Sequence, residues 1–102
     1  MTDRELLERA AKAAGYEYAK HGGYIVVDGI PGNWNPLTDD GDALRLAVKL
    51  KLKVYQGDLV AIVHPRMSHA YIAEEYERNG DHYAATRRAI VHAAAEIGKA
   101  MP

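Results

Sequence analysis

Aspartates near the middle of the chain are the first groups that could hold a metal ion. Asp39, Asp40 and Asp42 place three carboxylates close together, and oxygen ligands of this kind suit a hard cation such as Ca²⁺. The alternating ligands, central glycine and final glutamate of an EF-hand loop are absent. The acids precede an apolar helical pattern, where carboxylates complement the positive end of a helix. We therefore interpret them as a helix cap and predict no metal there.

The histidines, at positions 21, 64, 69, 82 and 92, are the other potential metal ligands. No two of them have the i, i+4 spacing of a helical metal site, and no HExxH motif occurs. His64, His69 and His82 would form a three-histidine site only if the fold brought them to one end of a sheet. Scattered surface histidines are the commoner case. A small metal-dependent hydrolase built on these three residues is kept as an alternative.

Nucleophilic catalysis has little support in the sequence. The chain has one serine, Ser68, which lies outside any Gly-x-Ser-x-Gly motif, and it has no cysteine. The glycines at 22–23 and 29–32 lack the lysine and the full pattern of a phosphate-binding loop. We therefore predict no catalytic residue and no cofactor, and a non-enzymatic role is favoured.

A candidate ligand-binding pocket can be assembled from Trp34, His64, Arg66, His82 and Arg87. His64 and Arg66 follow a predicted strand, and His82 and Arg87 begin the last predicted helix. These cations would converge on a phosphate if that strand ended near the start of that helix. Trp34 would stack on a base if its loop lay at the same edge of the sheet. In the alternative interpretation, Trp34 is a lid over the core and the cations are scattered over the surface.

Length and composition bound the class of protein. A chain of 102 residues is expected to be a single domain, 1–102, and its 48% hydrophobic content is that of an ordinary globule. The net charge of -1 and the lack of a basic tract give no reason to expect non-specific nucleic-acid binding. No apolar run approaches the roughly 20 residues that span a bilayer, so no membrane association is expected. The absence of cysteine favours a cytoplasmic location.

Hydrophobic periodicity and capping signals predict three helices, over residues 3–14, 38–50 and 81–99. Alternating or β-branched segments between the helices predict pairs of strands joined by tight turns at 21–23 and 56–58. The order αββαββ(β)α predicts an α+β domain. Its mostly antiparallel sheet of four to five strands would be packed with the three helices.

Several finer expectations follow from the same patterns. Thr38 is the expected N-cap of the second helix, whose wide apolar arc predicts that it is largely buried. The apolar run 59–63 predicts a central strand, with Ile62 and Ile90 almost fully buried. Residues 66–80 fit either a strand or a helix, and a strand is favoured. The buried stripe of the last helix is expected to comprise Tyr83, Thr86, Ile90, Ala94, Ile97 and Met101.

Two segments resemble the signature of a known family. Residues 34–47 read WNPLTDDGDALRLA, and residues 85–96 read ATRRAIVHAAAE. Together they resemble the phage ABA-sandwich domain, a family of small proteins encoded by tailed phages and prophages. The resemblance extends over nearly the whole chain and is weakest at 64–80. It implies a fold and a biological origin, but no catalytic residues.

The resemblance, the small size and the missing catalytic motifs favour a non-enzymatic phage or prophage accessory protein. It would act in the host cytoplasm by binding a host protein or a small nucleotide-like signal, and counter-defence would be a natural role. A virion structural or assembly protein is a further alternative. Seven tyrosines and an edge strand also make a homodimer plausible.

Overall fold

Runs of three short strands separate the helices along the chain, in an order close to the predicted one. The computed structural model describes residues 1–19, 24–27, 30–32, 34–65 and 70–102. Within these residues the elements are α1 (Asp3–Ala14), β1 (Glu17–Ala19), β2 (Tyr24–Val27), β3 (Ile30–Gly32), α2 (Asp40–Leu50), β4 (Lys53–Gln56), β5 (Val60–His64), β6 (Ile72–Glu75), α3 (Tyr76–Asn79) and α4 (His82–Ala100). The three predicted helices are confirmed to within two residues at each end.

The strands form two antiparallel sheets of three strands each, in the orders β1-β2-β3 and β4-β5-β6. The α+β class and the antiparallel pairing are therefore confirmed, whereas the predicted sheet of four to five strands with three helices is not matched. One source of the difference is Ile30–Gly32, a short strand whose proline and glycine are typical of a loop. Pro31 pairs with Val26 in the third strand, at the edge of its sheet, where a missing N–H is tolerated.

Local capping interactions define where α1 and α2 begin. Thr2 and Glu5 form the reciprocal capping box, in which the Glu5 N–H donates to the Thr2 hydroxyl over 3.2 Å. At α2 the cap is Asp39 rather than the expected Thr38, because the Asp39 carboxylate accepts from the Asp42 N–H at 2.8 Å. A carboxylate competes well for this position because it also interacts with the helix dipole.

Helix α4 is the centre of the core. Its alanines at 85, 89, 93, 94 and 95 are fully buried, and Ile90 is 5% exposed, as predicted. Small side chains let α1 approach closely: a Cβ added at Gly98 would overlap the backbone of Arg9. The predicted stripe is only partly correct, because its end members Tyr83 and Met101 are exposed.

The sheet β4-β5-β6 covers α4 with one face only. Ala61 and Val63 point inwards and are completely buried, whereas Ile62 is only half-buried, so its predicted burial was wrong. Successive residues of a strand point to opposite faces of the sheet. Because the run is apolar throughout, the sequence did not indicate which alternate residues face the helix. The outward residues are in register across the sheet as Tyr55, Ile62 and Ala73.

The ambiguous segment contains both structures that its pattern allowed. Ile72–Glu75 is a strand, as favoured, and Tyr76–Asn79 adds one helical turn. The turn begins where the Tyr76 N–H bonds to the Leu59 carbonyl oxygen at 3.0 Å, which closes it against the β4–β5 turn. Residues 66–69 lie outside the described residues. Among those that are described, none belongs to a helix long and apolar enough to cross a membrane.

Candidate functional site

An open groove of about 620 Å³ lies between α2 and β4, with α4 as its floor. We call it the α2–β4 groove. Helix α2 contributes Ala43, Leu44 and Ala47, strand β4 contributes Val54 and Gln56, and α4 contributes His82, Tyr83, Thr86, Arg87 and Ile90. Its walls are predominantly apolar, which is the usual character of a binding site for a ligand or a partner side chain.

Apolar side chains extend from the groove onto the surrounding surface. Leu44 and Val48, one turn apart on α2, are 64% and 67% exposed, and Tyr83 on the facing helix is 68% exposed. The prediction that α2 is largely buried was therefore wrong on this side. Its apolar arc is wider than the surface that α4 covers, so Ala43, Leu46 and Ala47 are buried while Leu44 and Val48 face solvent. An apolar surface that a monomer leaves uncovered beside a groove indicates an interaction site.

A hydrogen-bond network closes one end of the groove. The Tyr76 hydroxyl lies 2.8 Å from both the Gln56 Oε1 and the Gly57 carbonyl oxygen, and the Gln56 amide donates to the Thr86 hydroxyl at 2.8 Å. The Thr86 hydroxyl in turn donates to the His82 carbonyl oxygen at 2.7 Å. Since these groups satisfy one another, they hold the groove in shape and leave its recognition chemistry to the apolar walls.

Arg87 and Asp40 close the other end. The Arg87 guanidinium donates to the Leu37 carbonyl oxygen at 2.8 Å and to the Asp40 carboxylate at 2.6 Å, and its side chain is only 19% exposed. The third acid of the segment, Asp42, accepts from the Asn35 N–H and from Arg45. Of the three predicted capping aspartates, only Asp39 accepts a cap hydrogen bond from the helix, whereas Asp40 and Asp42, in its first turn, bond to groups outside the cap.

The five residues of the predicted pocket are not all brought together. His82 and Arg87 both line the α2–β4 groove, but Arg87 is already paired there. His82 lies near the start of β5, because its ring is 4.1 Å from that of Tyr76, whose N–H bonds to the Leu59 carbonyl oxygen just before the strand. His64 lies at the other end of β5, where its ring contacts Tyr71. Arg66 lies outside the described residues.

Trp34 takes the lid position rather than a place in the groove. It is half-buried, packs against the core and meets the Tyr16 ring edge-on, with centroids 5.6 Å apart. Its hydrophobic body is thus covered in part by the core and by Tyr16, which follows α1, and it does not line the α2–β4 groove. This packing agrees with the alternative interpretation of Trp34 as a lid over the core.

The described residues include no group of three or more His, Cys, Asp or Glu side chains that could hold a metal ion. His64 and His82 lie at opposite ends of β5, and His69 falls outside the described part of the chain, as does Ser68. The hydrolase alternative required these histidines to converge, and the two that are described do not.

Sequence reasoning missed the residues that make up most of the groove. Leu44 and Tyr83 were assigned to buried helix faces, Val54 to a strand and Gln56 to the tight turn 56–58. One signal was available: α2 carries apolar residues over a wider arc than a small domain can cover. Comparison of the chain with protein-family models, with curated proteins and with solved structures yielded no match.

Proposed function

We propose that this protein is a non-enzymatic phage or prophage accessory protein that binds a host protein through the α2–β4 groove. The observation that carries the proposal is the continuous apolar surface formed by the groove, Leu44, Val48 and Tyr83. The partner would insert apolar side chains between α2 and β4. The phage origin comes from the resemblance of segments 34–47 and 85–96 to the ABA-sandwich signature, and binding in the host cytoplasm with a role in counter-defence would follow from it.

The charge around the groove favours a protein over a nucleotide-like signal. Phosphate recognition needs available cationic groups, and arginine is the best of them. Arg87 is committed to Asp40 and Leu37, so His82 is the remaining cationic candidate among the lining residues. His82 also borders a second depression that contains Asp58 and Glu77, whose carboxylates would repel a phosphate.

The proposal is tested by placing a charge in the groove. Leu44→Lys is expected to fold normally, because the side chain is 64% exposed, and to lose the host partner that wild-type protein captures from lysate. Leu59→Lys is the matched control, because Leu59 is 78% exposed and does not line the groove. After mass spectrometry identifies the partner, calorimetric titration with the purified partner should show at least tenfold weaker binding for Leu44→Lys alone.

Other outcomes point to the alternatives. A nucleotide that raises the melting temperature of the wild-type protein, together with an empty pull-down, would replace the protein partner by a nucleotide-like signal. Recovery of the protein from purified virions would support the structural or assembly role. Equal capture of a partner by wild-type protein and by Leu44→Lys would reject the groove as the binding site.

A further inference from the structure

The face of the β4-β5-β6 sheet that points away from α4 has the composition of a covered surface. We call it the open face, and its residues are Lys53, Tyr55, Val60, Ile62, His64, Ala73 and Glu75. An antiparallel sheet with one solvated face normally alternates apolar inward residues with polar outward ones. Here the central row across the three strands is Tyr55, Ile62 and Ala73, and none of them is charged.

The central strand, β5, departs most clearly from this alternation of apolar and polar residues. Ala61 and Val63 face α4, and the outward residues Val60 and Ile62 are also apolar. A strand that is apolar on both faces is typical of a sheet covered on both sides. In the chain alone, however, Tyr55 is 63% exposed and Ile62 is half-buried. Within the described part of the chain, the elements packed on α4 therefore leave this face uncovered.

Two opposite charges lie at diagonal corners of the open face. Lys53 pairs in register with His64, two residues beyond Ile62, and Glu75 pairs with Val60, two residues before it. Ile62 is consequently the midpoint between Lys53 and Glu75. Neither charge forms an ion pair within the described part of the chain. The face is thus apolar at its centre, positive at one corner and negative at the opposite corner.

We infer that the open face binds the open face of a second copy of this chain. A two-fold axis that lies in the interface over Ile62, perpendicular to the line that joins Lys53 and Glu75, places Lys53 opposite the partner's Glu75 and Glu75 opposite the partner's Lys53. Ile62 then packs on the partner's Ile62. Such an isologous contact uses each residue twice, so a single self-complementary face forms two ion pairs around an apolar centre. The strands of the two sheets cross at a large angle, which is one of the two common modes of sheet packing.

The expected affinity follows from the size of the face. Three strands spaced about 4.8 Å apart, with four or five residues of about 3.3 Å each, give a surface of roughly 15 by 15 Å before side chains are added. This amounts to roughly 225 Å² on each copy and about 450 Å² in the pair, which is below the size of stable specific interfaces, so the contact is expected to be weak and transient. The dissociation constant of the dimer is therefore expected in about the high-micromolar range. The α2–β4 groove lies on the other side of the sheet and stays open in the dimer.

Sedimentation velocity of the full chain from about 1 to 200 µM tests this interface. The wild-type protein should shift with concentration from 11.2 kDa to twice that mass. Ile62→Lys should remain folded by circular dichroism, because the side chain points away from α4 and is only half-buried. It should stay monomeric throughout, with self-association at least 100-fold weaker than that of the wild type. Leu44→Lys, which alters the groove, is the control that should dimerise like the wild type.

A charge exchange distinguishes this particular pairing from general stickiness. Lys53→Glu and Glu75→Lys should each weaken the dimer at least tenfold, and the double variant should restore it, because both exposed positions tolerate either charge without loss of fold. A wild-type protein that stays monomeric at 200 µM would overturn the inference, as would a dimer that is indifferent to Ile62→Lys. Single variants that weaken the dimer without rescue in the double variant would reject the Lys53–Glu75 geometry. Binding of a host protein is read separately and is expected to survive Ile62→Lys.

Discussion

Substitution of Gly98 by alanine sets two physical effects against each other at the contact of α1 and α4. Alanine is favoured over glycine within a helix by about 1 kcal/mol, so intrinsic propensity predicts stabilisation. The structure predicts the opposite, because an added Cβ would overlap the Arg9 carbonyl oxygen and lie 2.8 Å from the carbonyl carbon. To reach ordinary van der Waals contact, the added Cβ must move 0.6 Å (3.4 − 2.8) further from the Arg9 carbonyl carbon, and it must move further still from the carbonyl oxygen.

The obstacle at Gly98 is backbone, so no rotamer change relieves it and the two helices must separate. Overpacking of this kind typically costs about 1–3 kcal/mol, and more when backbone has to move. Because backbone must move, we take the upper end of this range, about 3 kcal/mol, and subtracting the gain in propensity leaves a net destabilisation of about 2 kcal/mol. For a domain of this size, 1 kcal/mol corresponds to roughly 4–8 °C, so the melting temperature should fall by roughly 8–16 °C.

Gly41→Ala is the matched control for this experiment. Gly41 also lies in a helix, but the nearest atoms to its added Cβ, at 3.1 and 3.2 Å, are the ends of the Arg45 side chain, which can move, and of the Asp39 carboxylate. Thermal and urea unfolding should show Gly41→Ala unchanged or stabilised by up to about 1 kcal/mol. If Gly98→Ala also gained stability, the close approach of α1 and α4 described above would be wrong.

Three further predictions concern single hydrogen-bonding groups. Tyr76→Phe removes a hydroxyl that lies 2.8 Å from two acceptors and should lower the free energy of urea unfolding by about 1–2 kcal/mol. Asp39→Ala removes the observed N-cap of α2 and should lower the free energy of unfolding by about 1 kcal/mol in the same assay, whereas Thr38→Ala should lower it much less. A larger loss for Thr38→Ala would identify the threonine as the N-cap. The hydrogen bond from Thr2 holds the pKa of Glu5 below its usual value of 4.5, so the stability that the ionised carboxylate adds is present above that pH and is lost as the pH falls through the lowered pKa. Melting temperatures of wild-type protein and Glu5→Gln should therefore differ at neutral pH and converge at strongly acidic pH, and a difference that persists in acid would contradict this linkage.

Features determined by neighbouring residues were predictable from the sequence. The capping box of Thr2 and Glu5 and the αL glycine at position 15 are local patterns, and the structure has both. The position of α4 followed from Asp81, whose carboxylate accepts from the Ala84 N–H at 2.7 Å. Such signals act over three or four residues, so they operate before any tertiary contact is made.

Features determined by distant contacts were not predictable. Whether Ile62 or its neighbours faced α4 depended on which face of β5 packed against the helix. A run that is apolar at every position does not indicate which face that is. The exposure of Leu44 depended on how much of α2 the single helix α4 could cover. Of the candidate pocket, His82 and Arg87 reached a common groove, but the Arg87–Asp40 pair joins residues far apart in sequence and had no local signature.

The placement of α4 has a consequence for how the chain acquires its structure during synthesis. This helix comes after α1, α2, β5 and β6 in the chain, yet all four pack on it. A ribosome releases the other elements before the residues that cover their apolar sides exist, and isolated short helices and three-stranded sheets are only marginally stable in water. Folding therefore waits for α4, and the nascent chain stays open to proteases and chaperones until this helix has left the ribosome.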